Sequence, residues 1–114
     1  MKQESQPLTG RTLRDAGIQQ AVDNANQQVD GWADQAYSAL RVFIALHPDQ
    51  TFMAEDVRNY AYDHLATPYP PHCRAWGGVM LRASREGLIR RVGIAPVKTP
   101  SNHMANATVW ERVP

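Results

Sequence analysis

Seven of the twelve basic residues in this 114-residue chain fall within residues 72–114: Arg74, Arg82, Arg85, Arg90, Arg91, Lys98 and Arg112. Only Glu86 and Glu111 oppose them there, whereas residues 1–71 hold five basic side chains against nine acidic ones. The overall charge of +1 therefore divides into −4 followed by +5. The guanidinium fork of arginine spans O6 and N7 of guanine, or a pair of phosphate oxygens. A charge concentrated on one part of a small domain focuses potential there and favours a polyanionic partner. The plain alternative is a solvated basic face balanced by the acidic half.

Other chemistries find less support in the residue pattern. His47, His64, His72 and His103 have no ligand-like spacing with one another or with Cys73, and neighbours on a helix point about 100° apart, so no metal or cofactor is expected. Glu55 and Asp56 are adjacent in sequence and do not face a common point from one side of a helix; both suit a helix N-terminus, where exposed N–H groups favour negative charge. No Ser-His-Asp, Cys-His or phosphate-cradling glycine pattern is recognisable, so the chain is expected not to be an enzyme. Trp76 and Trp110 are potential stacking platforms for bases. Both also fit apolar faces, and a core role is the expectation.

The arginines must be held by some element, and the stretch HCRAWGGVMLRASREGLIRRVG supplies it. On a helical wheel Trp76, Val79, Met80 and Ala83 form one face, with Arg74, Gly78, Arg82 and Arg85 opposite and Leu81 an apolar misfit among them. Gly77 and Gly78 each weaken a helix by about 1 kcal/mol relative to Ala, so the pair requires either close packing or close approach to a partner. Gly87 is the expected stop, with Leu88 packing back. Arg90 and Arg91 then occupy a strand and point to opposite sides, so at most one shares the surface of the helix. A second strand is expected over residues 108–113, and Ala95 to Ala107, rich in Pro, Ser, Asn and His, is read as a long loop between the two.

Upstream, residues 12–30 predict a helix capped by Thr12, with a thin stripe of Ile18, Val22, Ala25 and Val29 that either lies across the domain or pairs with its copy in a homodimer. Asp30-Gly31 marks a break. Trp32, Ala36, Leu40, Phe43 and Ile44 make the broad face of a main core helix that ends at His47-Pro48. Thr51-Phe52 is placed as an extended pair joining the edge of the hairpin, and residues 54–65 as a further helix. Pro68, Pro70 and Pro71 force an extended linker that presents Tyr69.

The length suits one hydrophobic core, and a charged fraction of 20% with 43% hydrophobic residues suits a globular chain. Residues 1–10 read as an untethered arm, 11–30 as the amphipathic helix and 31–114 as the domain proper. The start lacks the pattern of a secretory signal, no apolar run is long enough to span a membrane, and one cysteine forms no internal disulfide; a cytoplasmic location is the expectation.

Three helices, a stop glycine and a long-tipped hairpin give an order that resembles the winged helix-turn-helix domains of the α+β class, with one extra N-terminal helix. The likeness is strongest over Thr51–Val113, especially in RAWGGVMLRASREGLIRRVG and the terminal TVWERV, which also resemble small phage- or prophage-encoded proteins. The resemblance implies that the last helix enters the major groove of double-stranded DNA and that the loop touches the adjacent backbone. Carried onto this chain, it implies Arg74, Arg82 and Arg85 on the recognition helix and Lys98, Ser101, Asn102 and His103 in the wing. With His72 and neighbouring N–H groups at the helix start, Gly78 on the arginine side and Arg91 on the strand, these complete the candidate contact set. Arg74 is the expected base reader, and Arg82 and Arg85 the expected phosphate contacts. The sequence thus points to a sequence-selective DNA-binding protein, regulatory or accessory to replication. The other reading is a protein-interaction module that acts on a host protein.

Overall fold

A computed structural model describes residues 10–98 and 105–114. Four helices, α1 (Gly10–Gln28), α2 (Trp32–Leu46), α3 (Ala54–His64) and α4 (Ala75–Arg85), precede an antiparallel hairpin of β1 (Ile89–Pro96) and β2 (Asn106–Arg112). The result is a compact α+β fold. No helix among the described residues is long and apolar enough to cross a membrane.

α2 is central because its apolar residues recur at helical spacing over a wide arc. Trp32, Ala36, Tyr37, Ala39, Leu40, Phe43 and Ile44 are all buried on it. They meet Val57 and Ala61 of α3, and Trp76, Val79, Met80 and Ala83 of α4, in one cluster. Each large apolar side chain fully removed from water contributes about 1.5–3 kcal/mol, so this cluster dominates the stability of the fold. The two indoles meet edge to face, with Trp32 and Trp76 centroids 5.3 Å apart at 80°. Their N–H groups are also satisfied: Trp32 Nε1 donates to Pro68 O (2.8 Å) and Trp76 Nε1 to the Tyr62 hydroxyl (2.9 Å). The first of these bonds ties the proline-rich linker to the start of α2.

Glycines punctuate the chain at two positions that need left-handed backbone. Gly31 has φ of 71° where α1 gives way to α2, and Gly87 has φ of 80° after α4. At the second position Gly87 N–H donates to Ser84 O (3.1 Å) and Leu88 N–H to Ala83 O (2.9 Å). This is the paired bonding of a Schellman ending, and it turns the chain sharply into β1.

Phe52 joins the hairpin as expected. It forms an isolated antiparallel bridge with Trp110, exchanging N–H···O bonds of 2.9 and 2.8 Å. Both residues are buried, so the bridge fastens β2 to the segment between α2 and α3.

Two boundaries differ from the sequence reading. α1 begins at Gly10, so Thr12 lies within the helix rather than at its cap. The hairpin is longer than expected: Ala95 pairs with Ala107 and Pro96 with Asn106, and Val97 N–H reaches Ala105 O at 3.0 Å. Polar composition marked 95–107 as loop, but backbone pairing continues as far as Pro96 and Asn106 even though Pro96 has no N–H to donate. Ser101, Asn102 and His103 lie outside the described residues.

Candidate nucleic-acid interface

Helix α4 has two occupied faces. Ala75, Trp76, Val79, Met80 and Ala83 are buried in the core. On another side, the glycine pair lies against α1. A Cβ placed on Gly78 would sit 2.5 Å from Val22 Cγ2 and 3.4 Å from Ile18 Cγ2, and one on Gly77 would sit 3.3 Å from Ile18 Cδ1. A Cβ on Gly17 of α1 would in turn lie 3.0 Å from Arg74 Nη1. The two helices cross this closely because hydrogen atoms replace side chains at the crossing. Of the two explanations the sequence allowed for Gly77 and Gly78, close packing within the chain is the one found.

The thin stripe of α1 is therefore in use inside the chain. Ala21 and Ala25 are buried, Val22 and Val29 are packed against the core, and Ile18 and Val22 are seated on the α4 glycines. Gly78, placed by the helical wheel on the arginine side, faces α1.

The arginines separate into two groups. Arg82 turns towards α2, where its guanidinium meets Asp34 Oδ1 at 3.0 Å and Glu86 Oε2 at 3.3 Å and lies 3.9 Å from the centre of the Tyr37 ring. Tyr37 donates its hydroxyl to Glu86 Oε1 at 2.5 Å. That hydrogen bond, aided by Arg82, holds the Glu86 carboxyl below its ordinary range. Burial, with the Glu86 charge beside it, pushes the Tyr37 phenol up. This cluster locks the C-terminal turn of α4 to α2. Lys98 is fixed in a similar way: its N–H donates to Glu55 Oε2 (2.7 Å) and its Nζ lies 3.1 Å from both Asp56 oxygens. Asp56 also accepts the Met53 N–H at 2.8 Å, so the carboxylates at the start of α3 both favour that helix end and hold the chain just beyond β1.

Arg74, Arg85 and Arg91 form the second group, with no carboxylate partner among the described residues. Arg74 and Arg85 are eleven positions apart, three turns of α4, and therefore lie on one side of it. α1 crosses between them. Arg91 pairs with Trp110 just before a bulge at Val92, and its guanidinium carbon is 5.7 Å from the Trp110 ring centre. Arg85 and Arg91 line one cleft together with Leu81, Ser84, Trp110 and Asp15 of α1. Arg90 is on the other side of the strand, in an ion pair with Glu111. His72 is exposed and its Nδ1 accepts the Arg74 N–H at 3.0 Å, which orders the turn leading into α4.

His47 and His64 serve structural contacts. His47 Nδ1 lies 2.9 Å from Phe43 O, with its ring stacked on Phe43, and His64 lies 4.7 Å from the Tyr60 ring. Trp76 and Trp110 are buried in the core and offer no open stacking face.

Sequence reasoning missed the partners that tie down Arg82 and Lys98, which lie 48 and 42 positions away, and it missed Asp15 in the arginine cleft. For the α1 seat a signal existed: two adjacent glycines on one helix and two β-branched residues four apart on another are complementary shapes. Comparison of the chain with known protein families, with curated proteins and with solved structures finds no match.

Proposed function

We propose that this chain is a winged helix-turn-helix protein that binds double-stranded DNA sequence-selectively and without catalysis, in a regulatory or replication-accessory role. The observation that carries the reading is the half of net charge +5, which comprises α4 and the hairpin and keeps Arg74, Arg85 and Arg91 free of carboxylates among the described residues. The Phe52 bridge supports it, because it joins the hairpin to the helices in the manner of a wing. Arg85 and Arg91 act as phosphate contacts and Arg74 as the base reader. Arg82 and Lys98 hold the scaffold together. A polarisation titration against random-sequence duplex DNA at several salt concentrations tests the proposal, since counterion release makes affinity fall as salt rises. Arg85→Ala and Arg91→Ala should weaken binding more than Lys98→Ala. Absence of binding at low salt, by the natural chain and by Ile18→Ser with Val22→Ser alike, would refute it.

A second reading, a protein-interaction module, is favoured by one feature. Val42 and Leu65 are exposed beside Ala39 and Thr67 in a shallow groove, and Tyr69, its ring 4.1 Å from that of Tyr62, is 73% exposed. On that reading, partner binding is insensitive to Arg85→Ala and Arg91→Ala.

A further inference from the structure

We infer that α1 is an autoinhibitory cover on α4, occupying the face that duplex DNA would otherwise contact. The inference rests on the DNA-binding reading and adds its regulation.

Three observations lead to it. First, α1 lies over the only stretch of α4 that joins Arg74 to Arg85. Residues 77, 78 and 81 fill the turns between the two arginines; Gly77 and Gly78 meet Ile18 and Val22, and Leu81 lines clefts that Ile18 also lines. A duplex approaching this face would meet the outward residues of α1 first. Beyond the exposed Arg14–Asp15 pair, those include Gln19, Gln20, Asp23 and Asn24, which bring a carboxylate and three amides. Second, Asp15 of α1, paired at 3.9 Å with Arg14, lines the same cleft as Arg85 and Arg91, so α1 places a carboxylate beside the two arginines where a phosphate would sit. Third, the seat is apolar. No hydrogen bond or ion pair joins α1 to α4 among the described residues, and clefts of about 250 and 170 Å³ flank the Ile18 contact on its two sides. The contact of α1 is apolar, with Ile18 and Val22 on the two glycines and Ala21 and Ala25 buried beside them, so it can part without stranding buried polar groups. The large side chains of the core come from α2, Phe52, α3, α4 and the hairpin, and α1 adds Ala21 and Ala25 to it.

α1 and DNA are thus alternative occupants of one surface. Apparent affinity is the intrinsic affinity multiplied by the fraction of molecules with α1 displaced. For an open state populated at about 0.1–10%, releasing α1 should raise affinity about tenfold to a thousandfold.

The crossing itself provides the test. A Cβ on Gly78 lies 3.9 Å from Val22 Cβ, within the Cβ separation of a disulfide. Val22→Cys with Gly78→Cys, in a Cys73→Ser background, should form a bridge that holds α1 closed. Binding to random-sequence duplex is measured for this protein oxidised and reduced, for the natural chain, and for Ile18→Ser with Val22→Ser. Circular dichroism verifies that each is folded. The expected result is binding lost on oxidation and regained on reduction, with tighter binding than the natural chain for the Ser double variant. Equal affinity of the oxidised and reduced forms, with the natural chain also binding, would overturn the cover while leaving the DNA reading intact. If no form binds at low salt, the DNA reading fails and the cover with it.

Discussion

Adding one methyl group to Gly78 tests the packing on which the account depends. Ala in place of Gly favours a helix by about 1 kcal/mol. At Gly78, however, the new carbon would lie 2.5 Å from Val22 Cγ2, and Val22 is β-branched with essentially one rotamer open to it in a helix. Overpacking of this kind costs about 1–3 kcal/mol. Gly78→Ala should therefore destabilise by about 1 kcal/mol net, lowering Tm by about 4 °C in a domain of this size. Removing the obstructing methyls with Val22→Ala should reverse the sign, so that Gly78→Ala raises Tm by a similar amount in that background. The difference is a coupling of about 2 kcal/mol, well above the additivity expected of independent sites. Gly77→Ala serves as an internal control, because the nearest atom there is the flexible end of Ile18, at 3.3 Å. It should be neutral or stabilising. The assay is thermal and urea unfolding of the four proteins of the cycle, plus the control. If Gly78→Ala raised stability equally with and without Val22, α1 would not be seated on α4 and the reasoning would fail.

Other consequences follow from the core and its locks. Phe52→Ala should cost about 3–5 kcal/mol by urea unfolding, because it empties a fully buried aromatic site beneath the Trp110 bridge. Gly87→Ala forces a Cβ into left-handed backbone and should cost about 1–2 kcal/mol, whereas the same change at Gly93, which has open space around it and no positive φ, should not. The Glu86 carboxyl is held below its ordinary value of 4.5, so its contribution is present above that pH and is lost as pH falls through the lower folded value. Glu86→Gln should therefore flatten the decline of stability below about pH 4.5, and equal declines in both proteins would remove Glu86 from the α2–α4 lock.

Much of the architecture could be read from local pattern. The broad apolar arc of α2, the prolines after it, the Gly87 stop and the alternation around Trp110 each specify their own element through short-range chemistry, and each is found in place. Phe52 was legible for the same reason: one apolar residue in an extended gap has few places to go. What could not be read was the set of pairings between distant elements. The helical wheel placed Gly78 and Arg82 beside Arg74 and Arg85 correctly as positions on a cylinder, but it carries no information about which neighbour covers which arc. Arg82 is drawn aside by Asp34 and Tyr37 of α2, and Gly78 is covered by Val22 of α1. Lys98, read as part of an open tip, folds back because Glu55 and Asp56 are at the start of α3. Charge counts by segment conceal such pairs, and only Arg74, Arg85 and Arg91 remain of the expected basic surface.

The central claim is that Arg85 and Arg91 engage DNA phosphates while Arg74 reads a base, and the salt dependence of binding tests it most directly. Each phosphate neutralised contributes about −0.9 to the slope of log affinity against log salt. The account predicts a slope of magnitude at least about 1.8 for the chain, and a loss of about 1.8 from that magnitude in Arg85→Ala with Arg91→Ala. A slope unchanged by that double substitution, or no binding at low salt with α1 either seated or released, would contradict it.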